Sequence, residues 1–567
     1  MNFLGASASE VYAQFRPSGH WTTRFPLVAR TGMRMALLML LPVLFTNAAR
    51  GQEELVRRAL WGPPSERQAA LAELLKLENT RERIRTIEGV IRAGRAYQPI
   101  SAEREDLRVT LEPGHTTTLY VQLPPDYDPH KTYPFMLAIG GGPTGSKAQA
   151  DQGARLMLSL WSEPARKAGW IVAAVVDTVS VSRSTQPLRY RVLNIAHVRA
   201  ILDTVIARYH VDPNRIHSTG VSLGSNYSLA YAEAHPDWLA GVVPVSTEGE
   251  SREHVLRNLN GVGVYVLEGV NDRNIRMLDG PRKLDKILTA FGYPHIYDEH
   301  KNRAHESFRE SYPQVLDWLS ARPRDPFPKR IMRVAHAGIM MPAKRFFWLE
   351  ADTHQAVFSA EVTGNTIDVH AARAGVLTFH LSDRLVDLDK PVTIRVNGRV
   401  VHDAAIARSI RVALEDAAAL NDTERFATAR VRVPVENLPA GETWAGTLDP
   451  KVKPGKLAFW EMYAVRTLHE DRPSFPAAVR TIALEGAPGR TGLEVTAIPE
   501  GSPLETGDII TAVDGEPCFA GADAIAFINS YILRSTMKEV TVSLLRGGES
   551  REVILPLPDT KPGENEE

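Results

Sequence analysis

The order of apolar and polar positions divides this chain into stretches of different rhythm. Between 105 and 322, short apolar runs recur between segments with helical spacing. Thr117–Leu123 (TTLYVQL) alternates as a strand, whereas Pro134–Ile139 (PFMLAI) and Trp170–Val176 (WIVAAVV) are unbroken apolar runs. Unbroken runs of this length are the pattern of strands buried on both faces. Gly241–Ser246 (GVVPVS) and Val262–Leu267 (VGVYVL) repeat it, and His295–Asp298 reads as a short last strand. Val192–Arg208 and Arg282–Phe291 have helical periodicity. Apolar strands separated by helices predict an α/β fold: a mostly parallel sheet with helices on both faces, and its chemistry at the carboxyl ends of the strands.

The flanking segments read differently. Residues 52–104 contain Leu, Glu, Arg and Ala at helical spacing and predict a helical N-terminal segment, either packed on the core or gating substrate. From 330 to 440 the texture is β-rich: Phe346–Ala351 (FFWLEA), Ala356–Thr363, Ile367–His370, Gly375–Leu381 and Pro391–Val401, with one helix at Ile410–Leu420. Asn397-Gly398 between apolar strands is a strong hairpin signal. Residues 441–475 read as a Pro- and Gly-rich connector carrying Trp444, Trp460 and Tyr463. A compact unit spans 476–558, with a helix at Ala522–Tyr531 and a strand at Val540–Leu545; the charged tail 559–567 reads as disordered.

At 567 residues the chain predicts two to four domains, and 44% hydrophobic with 23% charged residues is a globular composition. A net charge of −1 excludes an electrostatic nucleic-acid binder. Cys518 is the sole cysteine, which excludes an internal disulfide and a thiolate zinc site; no histidine cluster spells a metal motif, and no cofactor is implied. Residues 1–51 read as a signal-peptide region. Arg34 precedes a short apolar run broken by Pro42, and Ala49-Arg50-Gly51 offers a cleavage point. Met33 or Met35 is an alternative start. The expectation is export to a bacterial periplasm or the extracellular space, with no stable membrane span in the mature chain.

The candidate chemistry centres on Gly220-Val221-Ser222-Leu223-Gly224. A G-x-S-x-G turn between a strand and a helix lifts the serine hydroxyl towards a cleft. Serine needs a base, a carboxylate behind that base, and donors for the oxyanion. Asp272 follows a strand, and His305 lies beyond one more helix and strand, which is the chain order Ser, acid, His. His300 competes as the base, and Glu268 or Asp298 as the acid. The oxyanion donors expected are the N–H groups of Leu223 and of Gly141 or Gly142, in a triple glycine that follows the strand ending at Ile139.

With these motifs, residues 105–325 resemble an α/β-hydrolase of the polyhydroxybutyrate depolymerase, feruloyl esterase or prolyl oligopeptidase type. Tyr209–Ile216 (YHVDPNRI) ahead of the elbow and His235–Gly241 (HPDWLAG) after its helix are similar to the matching segments there. The resemblance implies Ser222 as nucleophile, Asp272 as acid and His305 as base, acting on an ester or a peptide. Ser225, where many relatives have glycine, and Ile139, where lipases often have histidine, depart from the pattern. Residues 476–558 resemble a PDZ domain of the bacterial protease-associated type, on Arg490-Thr491-Gly492-Leu493 and on Gly507-Asp508-Ile509-Ile510 with Val513-Asp514-Gly515. That implies a loop receiving a peptide C-terminal carboxylate, and hence a protein C-terminus as possible partner. The expected function is an exported serine esterase. A serine peptidase, and a non-catalytic envelope scaffold acting through the PDZ-like unit, are the alternatives.

Overall fold

The computed structural model describes residues 51–112, 114–141, 147–176, 195–249, 253–272, 276–335, 342–435, 478–484, 491–518 and 539–556. The chain divides into two units, Met1–Glu54 and Leu55–Glu567. Of the first, only the helical residues 51–54 are described. The signal-peptide region up to residue 50, the connector 441–475, the helix expected at Ala522–Tyr531 and the tail lie outside the described residues, as do Gly142 and Arg490.

The second unit is built on an eight-stranded sheet: β1 (Arg104–Glu112), β2 (His115–Gln122), β3 (Tyr133–Ile139), β4 (Ile171–Val175), β5 (Val211–Val221), β6 (Gly241–Val245), β7 (Gly263–Gly269) and β8 (His295–His300). Their spatial order is β1-β2-β4-β3-β5-β6-β7-β8. β2 runs antiparallel to β1 and β4, and every pairing from β4 to β8 is parallel. Period-two alternation sorts β3 between two cores: Phe135, Leu137 and Ile139 join one, Met136 and Ala138 the other. On the first side lie α4 (Ile195–Arg208), α5 (Leu223–Ala234) and α6 (Arg276–Phe291), which contribute Ile201, Tyr227 and Leu284. On the other lie α3 (Lys147–Ala168) and α7 (Tyr312–Ser320), where Trp161 stacks on Tyr312 with ring centroids 3.8 Å apart. Two covered faces explain why the central strands read as continuous apolar runs. Sequence periodicity had not marked β1 or α3.

Two further sheets share one core. One is ordered β10 (Arg345–Phe346), β11 (Leu349–Ala351), β14 (Val376–Leu381), β17 (Ala429–Pro434); the other β16 (Arg399–Ala404), β15 (Val392–Val396), β13 (Thr366–Ala372), β12 (Val357–Thr363), β9 (Arg330–Arg333). The Asn397-Gly398 hairpin forms with both residues at positive φ, 52° and 80°. The run FFWLEA is not one strand, however. It reverses at Phe347 (φ 54°), so that Phe346 pairs with Leu349. Phe346, Phe347, Trp348 and Leu349 are all buried, and a straight strand would have turned every second one outwards.

The N-terminal segment forms α1 (Pro64–Leu74) and α2 (Arg81–Ala93). Thr80 caps α2 by accepting from the Arg83 N–H at 3.3 Å. Ile84, Ile87 and Ile91 of α2 pack against Ile410, Leu414 and Ala417 of α8 (Ile410–Leu420). Buried ion pairs join the β-rich part to the hydrolase part: Arg425 meets Asp237, and Arg324 meets Asp422 at 2.9 Å. A last sheet is ordered β18 (Ala478–Ala483), β19 (Thr491–Ala497), β20 (Ile509–Val513), β22 (Glu539–Arg546), β23 (Glu549–Pro556), with β21 (Glu516–Pro517) paired to β20. Its core holds Leu493, Val495, Ile510, Val542 and Cys518. Among the described residues, no helix is long and apolar enough to cross a membrane.

Candidate active site

β5 ends at Val221 and α5 begins at Leu223, which leaves Ser222 alone at the turn with φ 56° and ψ −123°. A non-glycine residue in that region is strained and persists only where its surroundings hold it. Here the Ser222 N–H donates to the Val245 carbonyl (2.9 Å), while its own carbonyl accepts from the Ser225 N–H (2.9 Å) and hydroxyl. The flanking glycines are required by contact. A Cβ on Gly220 would stand 2.2 Å from the Gly224 carbonyl, and one on Gly224 would stand 2.3 Å from the Ile139 carbonyl. Gly141 lies equally close: its Cβ would be 2.4 Å from the Val221 oxygen and 3.2 Å from the Ser222 Cβ. The glycine loop after β3 therefore abuts the serine. The Leu223 N–H is at the first turn of α5, where backbone donors and the helix dipole favour negative charge.

Asp272 follows β7 and His305 follows β8. The two strands are neighbours in parallel register, so both loops emerge at one edge of the sheet. There His305 Nδ1 lies 2.7 Å from Asp272 Oδ2; a carboxylate oxygen only accepts, so Nδ1–H is the donor. This leaves Nε2 as the lone-pair nitrogen. The Asp272 side chain is 4% exposed and that of His305 40%, so the acid is shielded while the base is reachable. Gly269 permits the approach, since a Cβ there would lie 2.3 Å from the Ala304 carbonyl. Ser246, which no motif singles out, fastens the histidine loop: its hydroxyl donates to the Glu306 carbonyl (2.8 Å) and accepts from the Glu306 N–H (3.2 Å). Val245 and Ser246 are adjacent, so neighbouring residues at the end of β6 hold the serine turn on one side and the histidine loop on the other.

The competing residues are also placed. Glu268 is fully buried in β7 and accepts from the Thr247 N–H (3.0 Å) and the Gly269 N–H (3.1 Å). Burial, reinforced by the charges of Asp272 and Glu299, pushes its carboxyl up to about 8 against the opposing effect of those two hydrogen bonds. Asp298 and His300 form a second serine–histidine–aspartate grouping with Ser311 at the start of α7. The Ser311 hydroxyl is 3.1 Å from His300 Nε2 and 3.3 Å from Asp298 Oδ2, and His300 Nε2 is 3.3 Å from Asp298 Oδ2. In the last sheet, Thr491, Gly492 and Leu493 are residues of β19, paired with Ala483, Ile482 and Thr481 of β18.

The mostly parallel sheet with flanking helices and the turn at Ser222 form an α/β-hydrolase-like fold that carries catalytic-triad-like serine, histidine and aspartate groupings. No known family profile matches the chain. Over 87 residues, 15% of this chain, it is 31% identical to "Putative esterase NocK" of Nocardia uniformis subsp. tsuyamanensis, and the match spans 25% of that protein's length. Among solved structures it is similar to a thermostable esterase (18% identity, 39% of this chain and 64% of that one, TM-score 0.34). It is also similar to an arylesterase (14% identity, 45% and 97%, TM-score 0.30) and to a puromycin-hydrolysing peptidase of Mycobacterium tuberculosis (17% identity, 39% and 40%, TM-score 0.30).

Proposed function

We propose that the chain cleaves carboxylic esters with Ser222 as nucleophile, His305 as base and Asp272 as the acid that holds His305. The observation that carries this reading is the 2.7 Å Asp272–His305 bond at the same carboxyl end of the parallel strands as the strained Ser222 turn. Ser222 Oγ attacks the ester carbonyl carbon and gives its proton to His305 Nε2. Asp272 keeps Nδ1 protonated and stabilises the imidazolium that forms. The N–H groups of Leu223 and Gly141 receive the oxyanion. His305 then protonates the departing alkoxide, leaving an acyl-serine. Water, deprotonated by His305, attacks that acyl group, and the Ser222 oxygen leaves with the returned proton.

The Ser311 grouping supports a second assignment, because all three side chains touch. Its geometry argues against it: serine and aspartate converge on the same ring nitrogen, Nε2, whereas a working relay needs the acid on one nitrogen and the serine on the other. Fluorophosphonate labelling decides between them. Ser222→Ala is expected to abolish labelling and Ser311→Ala to retain it; the reverse result would transfer the chemistry to Ser311.

Ester specificity rests on the absence of any recognisable peptide-reading gate in the sequence, and a panel of p-nitrophenyl esters and peptide anilides tests it: turnover of the anilides at comparable rates would overturn the preference. The unit at 476–558 is proposed as a PDZ-like module that takes a protein C-terminus, and export to the bacterial envelope is proposed from the apolar run after Arg34. Binding of a C-terminal peptide library to the whole chain, and fractionation of cells making it, test the two.

A further inference from the structure

Away from the serine turn, α1, α2, α4, α8 and Trp238 enclose a cavity of about 460 Å³. It shares no lining residue with the site described above. Its volume is in the range of small-molecule pockets, roughly 300–1,000 Å³. Half-buried Trp61 supplies an aromatic wall, while the ring of Trp238 is stacked by His235, with centroids 3.7 Å apart.

The charges around it are unequally satisfied. Asp203 accepts from Asn421 (2.9 Å) and from Arg199 (2.9 Å), and Asp422 is committed to Arg324 and to the backbone N–H groups of Glu424 and Arg425. Arg199 is also engaged by the Ala419 carbonyl and lies over the Trp238 ring, 5.4 Å from its centroid. Arg67 and Arg95 are different. Arg67 Nε donates to the Gly62 carbonyl (2.7 Å), and Arg95 Nη2 to the Asn421 side-chain oxygen (3.0 Å). Neither is paired with a carboxylate among the described residues. Burial holds Arg95 below the usual guanidinium range, and the positive charge of Arg67 adds to that effect against the opposing influence of Tyr97 and Asp203. Two guanidinium groups that line one opening without a carboxylate hydrogen-bond partner among the described residues, each with donors to spare, are stabilised by an anion placed between them.

We propose that this cavity binds a small organic anion in which a carboxylate is joined to a planar ring. The carboxylate is received by Arg67 and Arg95 in the forked geometry that guanidinium offers, and the ring lies against Trp61. The inference is independent of which serine performs the hydrolysis.

Isothermal titration of the whole chain with naphthoate tests it, using enzyme whose catalytic serine has been blocked by a fluorophosphonate so that product binding at the active site does not contribute. The expected result is saturable binding that is weakened about tenfold or more in Arg95→Gln and in Arg67→Gln, and about as much for the uncharged naphthalene methanol. Arg67 is exposed, so Arg67→Gln keeps the fold and tests the proposal if Arg95→Gln does not fold. No heat with naphthoate, equal affinity in Arg67→Gln, or binding abolished by the serine block would each overturn the proposal.

Discussion

Gly224→Ala probes the elbow through sterics alone, because it removes no group that takes part in the chemistry. A Cβ there would lie 2.3 Å from the Ile139 oxygen and 2.6 Å from the Gly140 oxygen, both backbone atoms, whereas real Cβ contacts hardly ever fall below 3.0 Å. Relief requires β3 and the start of α5 to part by about 0.7 Å. These two elements carry the glycine loop and the Ser222 turn, so the shift separates the nucleophile from one oxyanion donor. A misplacement near 1 Å costs about 10²-fold in rate. Overpacking of this kind also costs about 1–3 kcal/mol of stability. The assay is kcat/KM on p-nitrophenyl acetate with circular dichroism and a thermal melt on the same sample. Gly153→Ala is the control: Gly153 is a helical residue of α3 whose added Cβ meets nothing within 4 Å. That variant is expected to keep its rate and to gain up to about 1 kcal/mol from helix propensity. Folded Gly224→Ala with kcat/KM within twofold of the parent would refute the reasoning, because the elbow would then tolerate the displacement that the contacts demand.

Asp272→Asn is expected to lower kcat by about 10⁴ with little change in KM, since the amide holds His305 in the wrong tautomer; steady-state kinetics with retained folding checks this. For Glu268, the folded-state pKa of about 8 stands above the ordinary 4.5, so the folded chain holds the proton more tightly than the unfolded one. Its contribution to stability is therefore present below about 4.5 and is lost as pH rises towards about 8, by on the order of a few kcal/mol. The parent chain should lose stability relative to Glu268→Gln across that window in urea melts, and a pH-independent difference would contradict it. Arg425→Ala strands Asp237 in the buried junction, while Asp422 keeps Arg324, and should cost about 3–5 kcal/mol, measured by denaturant unfolding. Arg480→Ala removes an exposed partner of Glu494 and should leave the melting temperature unchanged within error.

Local physics made much of this molecule legible in one dimension. The central strands read as apolar runs because helices cover both faces of the sheet, and the 397–398 hairpin read from the two residues that tolerate positive φ. The serine turn was equally legible, since the glycines at 220 and 224 and the serine between them are contiguous and the strain is contained within them. The failure at Phe346–Ala351 is instructive: four consecutive buried side chains satisfy an apolar-run rule, but only the two-sheet core shows that the chain must reverse to bury them all.

What the linear chain determined by itself was therefore the central strands, the 397–398 hairpin and the nucleophile candidate, because periodicity and turn chemistry act over a few residues. Which histidine joins which carboxylate was a tertiary decision. Asp272 and His305 meet because β7 and β8 lie side by side and the bare Cα of Gly269 lets the later loop close over the earlier one. His300, only five residues away, lies within β8 and turns its ring to Ser311 instead. The arginine-lined cavity likewise arises from α1, α2, α4 and α8, drawn from distant parts of the chain, and such convergence leaves no spacing for a sequence to display.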